Sequence, residues 1–311
     1  MGEQRKGVVA LAVACVVWGL SPLYYKLLAA VPPLEVLSHR TLWSLALFGL
    51  ILLGQGRLRE VPQLLRSHGG GVALAAVLIS ANWFLFILSV QIGLTVQASL
   101  GYYIFPLVAV LLGVLAFGER LNRWQGLAVS LAAAAVLVLT FGLGVAPWVA
   151  LALATTFGLY GLIKKRLVAG PVVSVTAEVL VLAPLAVVWL AGVHGGLFSE
   201  FSRAGGWFGH SLGTSLLLAF SGVMTAGPLI LFTYASQRVT MATVGLVQYL
   251  NPTLQFLCAT LVFAEPFSRW HGIAFGLIWA ALAIYSWQAL VQDRAARSRN
   301  SRPGTSATAV K

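Results

Sequence analysis

Of the 311 residues, 59% are hydrophobic and 9% are charged, with 20 Lys and Arg against 8 Asp and Glu. The mean hydropathy is +0.90. An ordinary soluble domain carries about 25% charge, so a water-soluble enzyme and a disordered chain are both excluded. Cys15 and Cys258 lie in apolar stretches and are too few for a disulfide or metal framework.

A membrane-crossing helix needs about 20 largely apolar residues, and the chain offers ten such runs. The first, 7–29, follows a basic start as a signal peptide would. It is too long for one and lacks a clear small-residue cleavage site, so it reads as a retained span. Next come 34–53, which holds Glu35, His39 and Arg40, then 71–90, 95–117 and 124–141. The second set is 146–163, 172–191, 213–235, 241–263 and 270–290. The connections are short except 54–70 and 192–212, and Pro32-Pro33, Gly69-Gly70-Gly71, Pro147 and Pro171 punctuate the ends. An outer-membrane barrel would instead alternate over segments of about ten residues. The stretch after Val291 is polar and basic and is expected to be a disordered cytoplasmic tail that meets anionic lipid at most.

The net charge of +12 is a matter of topology. With ten spans and a cytoplasmic amino terminus, Arg5, Lys6, Arg57, Arg59, Arg66, Arg120, Arg123, Lys164, Lys165, Arg166, Arg238 and the basic residues of the tail all fall inside. Arg203 and Arg269 fall outside. This is the positive-inside asymmetry, and it argues against nucleic acid as the partner. The expected setting is the inner or plasma membrane, with both termini cytoplasmic.

The sequence also contains itself twice. Residues 99–126, SLGYYIFPLVAVLLGVLAFGERLNRWQG, return as 245–272, GLVQYLNPTLQFLCATLVFAEPFSRWHG. At a constant offset Tyr103 matches Tyr249, Pro106 matches Pro252 and Glu119 matches Glu265. Arg123-Trp124 matches Arg269-Trp270, and Gln91 matches Gln237. Nearer the start, Trp18-Gly19-Leu20 and Lys26 align with Phe157-Gly158-Leu159 and Lys165. Five spans per repeat is odd, so the second copy, 143–290, enters the membrane in the opposite sense to the first, 1–142. Inverted repeats of this kind recur in transporters. The expected fold is all-α, with ten transmembrane helices as two inverted five-helix repeats.

The paired Pro-(x)12-Glu-(x)3-Arg-Trp-x-Gly pattern resembles the EamA domain of the drug/metabolite transporter superfamily. The opening KGVVALAVACVVWGLSPLYYKLL, followed by VPPLEVLSHRTLWSLAL, resembles its RarD subfamily, which is associated with chloramphenicol sensitivity or resistance. The resemblance implies a central cavity framed by the first four helices of each half, and transport of small metabolites or drugs without ATP. A transport-inactive receptor or regulatory subunit is the other reading. Against it, the chain has no folded soluble domain to relay a signal.

Catalytic motifs are missing: there is no G-x-x-x-x-G-K-[ST], no H-E-x-x-H and no G-x-S-x-G. No cofactor or metal is expected, and the chain does not read as an enzyme. A charge inside a span costs about 2.5–3.5 kcal/mol on insertion scales, so each needs a reason. Glu35 and His39 share one helical face, and Arg40 either snorkels or pairs with Glu35, or else contacts an anion or gates a vestibule. Glu178, aligned with His39, is a coupling acid or a hydrogen-bond partner of helix six or ten. Asn82, Gln97, Tyr102, Tyr103, Gln248, Tyr249 and Asn251, with Trp18, Trp83 and Phe105, make a candidate amphipathic cavity, or else interhelical glue. Lys26 is expected to snorkel, and Gly126/Ser130 and Gly272/Gly276 to be packing faces.

Overall fold

The computed structural model describes residues 2–117, 121–164, 166–167, 169–200, 203, 205–239 and 241–300. Its helices are α1 (Glu3–Gly19), α2 (Ser21–Leu27), α3 (Pro33–Gly54), α4 (Glu60–Gln91), α5 (Thr95–Phe117) and α6 (Arg123–Leu143). They continue as α7 (Trp148–Lys164), α8 (Pro171–His194), α9 (Leu212–Ser236), α10 (Met241–Gln248), α11 (Leu250–Leu257) and α12 (Arg269–Asn300). No β-strand occurs among the described residues. Eight helical stretches are long and apolar enough to cross a membrane, counting Glu3–Leu27 as one. The remaining two apolar runs are α7, at 17 residues, and the broken sequence α10–α11.

The breaks have local causes. Pro252 cannot donate to the carbonyl of Gln248 and crowds it, and the helix interrupts there, between Gln248 and Leu250. A π-turn, Cys258–Val262, follows, and the chain leaves it through Ala264 at φ 51°. Helices α3 and α8 both start with proline at the first position, where a missing N–H costs nothing. Helix α6 is capped by Asn122, whose side chain accepts from the amides of Trp124 and Gln125 while Gln125 accepts from the Asn122 amide. At the corresponding point before α12, the Ser268 amide donates to His271 Nδ1 at 3.2 Å.

Two expected irregular stretches are helical. Residues 60–67 form the first turns of α4, which bends at His68 (φ −137°, ψ 28°), so the connection expected over 54–70 shrinks to the residues before Glu60. The stretch 291–300, expected to be disordered, continues α12. Residues 301–311, and with them the rest of the expected tail, lie outside the described residues, as do Glu119, Arg120 and Lys165.

Packing sets α3 against α8 and α9, α4 against α7 and α8, and α1 against α9 and α11. Helix α5 lies on α7 and α11, and α6 on α12. The α6–α12 seam is made by Ala128, Ala132, Ala135 and Leu139 against Ala274, Phe275, Ile278 and Leu282. Gly126 and Gly276 have open space where a side chain would be, so the expected small-residue faces are not the seam. Over 126–139 and 272–285 the two helices are almost wholly apolar and offer no polar face to fix their rotation from sequence.

Candidate functional site

The bundle has two ends. At one, α2 turns into α3, and Glu200, Arg203 and 205–211 lie across them as a strap. At the other, α7 turns into α8 beneath the start of α4, held by Leu52, Val61, Leu64, Leu167 and Val173.

Carboxylates hold the strap down. The amides of Gly206 and Trp207 donate to Glu35 at 2.9 and 2.7 Å, and the amide of Leu34 donates to Glu200 at 2.8 Å. Arg203 donates to Gln91 Oε1 and to the carbonyl of Ala29, while Gln91 donates to the carbonyls of Leu28 and Val31. Phe208 of the strap stacks on His39 at 4.9 Å. Glu35 and His39 therefore do share a face, and that face meets the strap. The carboxyl of Glu200 sits outside the spans and is pushed above the usual range by burial, against the opposing pull of the Leu34 amide and Arg203.

Arg40 points elsewhere. It is buried, at 6% exposure. Its Nη1 donates to Tyr25 Oη at 2.5 Å, and its guanidinium carbon lies 4.0 Å from the Trp83 ring centroid. Cation–π contact is stronger when desolvated, yet it does not cancel a charge. Arg40 neither pairs with Glu35 nor snorkels to the surface. Its Nε has no hydrogen-bond partner, and neither do His39 Nε2 and Ser44 Oγ.

From Tyr25 a ladder of rings runs through the bundle: Tyr25 to Phe86, Phe86 to Tyr102, Tyr102 to Phe157, and Phe157 to Tyr160, with centroids 5.8–6.0 Å apart. Asn82 braces its middle, accepting from Tyr102 Oη at 2.9 Å and donating to the Leu153 carbonyl and Thr156 Oγ1. At the far end Tyr160 Oη donates to Glu178 Oε2 at 3.1 Å, and Lys164 Nζ pairs with Glu178 Oε1 at 2.6 Å. Ser174 also donates to Glu178, and Lys164 to Ser174. Glu178 is 1% exposed and Lys164 22% on side-chain area, so the pair is exposed through the lysine alone. The partner of Glu178 is the sixth apolar segment, one of the two expected.

The other expected cavity residues scatter. Trp18 is half-buried, 6.0 Å from Phe232. Asn251 accepts from Gln255 within its own helix, and Gln248 is half-buried on α10. Tyr103 shares a 2.6 Å hydrogen bond with Thr253, and with Tyr249 and Trp279 these residues line a separate groove of about 410 Å³ beside α12. Gln97 lies in another hollow, of about 210 Å³, with Glu265 and His271. Glu265, half of the repeated signature, accepts from the amides of Thr95 and Val96 at 2.9 and 2.8 Å. It thus caps α5 at the helix end that favours negative charge. Lys26 is exposed, with Nζ 5.3 Å from the Phe263 ring.

Sequence reasoning missed Tyr25, Tyr160 and Lys164. Lys164 counted only as a loop charge. The signal was present in the alignment offset, which sets Tyr25 opposite Lys164 as it sets His39 opposite Glu178. No group of three or more His, Cys, Asp or Glu able to hold a metal occurs among the described residues. The constellation offers binding groups: a cation, an ion pair, and aromatic walls between them.

An all-helical bundle, with eight stretches long and apolar enough to cross a membrane and charged groups buried between its helices, is the architecture of a multi-pass membrane protein. The chain belongs to the EamA-like transporter family, whose model matches residues 5–141, and within it to the RarD subfamily. It is 43% identical to the uncharacterized transporter YojE of Bacillus subtilis, over 95% of this chain and 98% of that one. It is 46% identical to the protein RarD of Streptomyces exfoliatus, over 96% and 93%. A solved crystal structure 20% identical, covering 89% of this chain and 96% of its own, shares the fold with a TM-score of 0.59.

Proposed function

We propose that this protein is a secondary transporter moving small metabolites or drugs across the cell membrane by alternating access, without ATP. In this reading the chain crosses ten times, as two inverted halves, 1–142 and 143–290, with both termini cytoplasmic. Chloramphenicol is one candidate cargo, on the resemblance alone.

One observation carries the reading. A methyl group added at Gly19 would lie 2.7 Å from Leu254, and one added at Gly158 would lie 2.9 Å from Leu112 and 3.4 Å from Val108. Gly19 aligns with Gly158 and Val108 with Leu254 at the two repeat offsets, so each half touches the other through the same pair. The larger packing supports it: α1 on α9 matches α7 on α4, and α3 on α9 matches α8 on α4. Two halves exchanging equivalent contacts give one sequence two packings of equal kind, which alternating access requires.

Purified protein in liposomes should catalyse counterflow, drawing labelled substrate against its gradient when unlabelled substrate is preloaded. The assay runs on a panel of small organic solutes with and without a pH gradient. Absence of counterflow across the panel, with the protein folded and correctly inserted, would count against transport and favour a receptor-like role.

A further inference from the structure

Among the described residues, the charged side chains with less than a tenth of their surface exposed, His39 aside, are Glu35, Arg40, Glu178 and Glu200. Glu35 is answered by two strap amides, Glu200 by the Leu34 amide and Glu178 by Lys164. Arg40 is met by a phenol, an indole face and no opposite charge.

The geometry leaves a particular part of it unused. Trp83 covers one face of the guanidinium, and Nη1 is committed to Tyr25. Nε has no partner, so the in-plane Nε–Nη2 edge is the part not engaged. That edge is the fork that holds a carboxylate through two parallel hydrogen bonds. One turn along the same helix face, Ser44 is fully buried with an Oγ that also lacks a partner. The neighbours are aromatic and apolar: Trp83 packs against the cluster of Phe48 and Val179, and Tyr25 continues into Phe86 and Tyr102.

We infer that Arg40 receives the anionic group of the transported substrate, and that the substrates are small organic monoanions, carboxylates first, with an aromatic or apolar body. The inference rests on the transporter reading and specifies its cargo. A single guanidinium neutralises a single negative charge, and a dianion would carry its second charge into apolar walls, where it is costly. The rings supply contact area for the body of the ligand, and Ser44 supplies a further polar contact. The same edge would accept an inorganic anion, so the test separates the two.

The test uses full-length protein in detergent and matched solute triples: phenylacetate, phenylacetamide and 2-phenylethylamine, then the same three forms on indole and on short aliphatic bodies. Sodium chloride is titrated separately. Thermal stabilisation is expected from the carboxylates alone, and Arg40→Gln should weaken their binding roughly tenfold to a hundredfold, the worth of a charge-assisted contact. Arg40→Lys should keep part of the affinity, because the charge stays while the fork is lost. The wild-type comparison within each triple is decisive even if Arg40→Gln fails to fold. Equal binding of amides or amines, carboxylate binding unchanged in folded Arg40→Gln, saturation by chloride alone, or no carboxylate binding at all would each overturn the inference. Flux of neutral solutes without carboxylate binding would sink this site and spare transport. Carboxylate binding at Arg40 without flux in liposomes would do the reverse.

Discussion

At the scale of single residues, the buried carboxylates divide by what answers them. Glu35 accepts from two amides of the strap, and a hydrogen bond to a charged group contributes about 1.5–3 kcal/mol. Glu35→Gln keeps the size but loses the charge, and one amide must then face an NH2 group. It should lower stability by about 2 kcal/mol, and a cysteine at Ser199 beside the strap should label faster than in the parent. An unchanged labelling rate would mean the strap is held by Arg203 and Glu200 instead. For Lys164–Glu178, removing either partner strands a charge. Lys164→Met or Glu178→Gln alone should cost about 2 kcal/mol, below the range for fully buried pairs because Lys164 is partly exposed. The double replacement should recover most of it in a double-mutant cycle of thermal unfolding. If Glu178 also couples transport to protons, Glu178→Gln abolishes the response to a pH gradient. Sequence singled out Glu35, His39, Arg40 and Glu178 because a charge in an apolar run stands out by itself. The partner segment of Glu178 was among those expected, but the strap partners of Glu35 were not legible. Gly206 and Trp207 lie more than 170 positions from Glu35 in the chain, and only folding brings such residues together.

At the scale of elements, contact between helices in lipid depends on backbones coming close, since lipid tails are as apolar as leucine. A methyl group at Gly101 would stand 2.8 Å from the Ala150 carbonyl, and one at Gly19 would stand 3.0 Å from the Asn251 carbonyl. Overpacking costs about 1–3 kcal/mol, so Gly101→Ala and Gly19→Ala should each lower the melting temperature. Gly126→Ala, with open space around it, should be neutral or slightly stabilising, because alanine is the better helix former. A loss at Gly126 as large as at Gly101 would contradict the α6–α12 seam described above. The spans were readable as lengths of apolar sequence, but their rotation was not. The alignment marked Glu265 without a reason, and the reason is an end cap on a helix of the other half.

For the whole molecule, the repeat makes a prediction about direction. With Cys15 and Cys258 replaced, a cysteine at Ser67 or Ser298 should react with an impermeant reagent only from the cytoplasm, and one at Ser199 only from the opposite side. Reaction of Ser199 from the cytoplasmic side would remove the inverted arrangement, since an odd number of crossings separates these positions in the ten-span reading. The internal repeat could be read from the chain because it is a relation between residues at constant offset. The break at Gln248–Leu250 could not, although Pro252 causes it, because Pro106, Pro184 and Pro228 sit inside unbroken helices.

The uncancelled charge of Arg40 also bears on energetics across the membrane. A carrier whose cargo is a monoanion, with no ion travelling alongside, moves one negative charge in each productive cycle. An interior-negative voltage then favours exit of the anion by about 2.3 kcal/mol per 100 mV, close to a fiftyfold accumulation outside at equilibrium. Liposomes carrying a potassium diffusion potential set with valinomycin should show carboxylate flux that reverses when the potential is reversed. A voltage-insensitive flux would mean that a cation or a proton accompanies each anion, with Glu178 the first acid to test as its carrier.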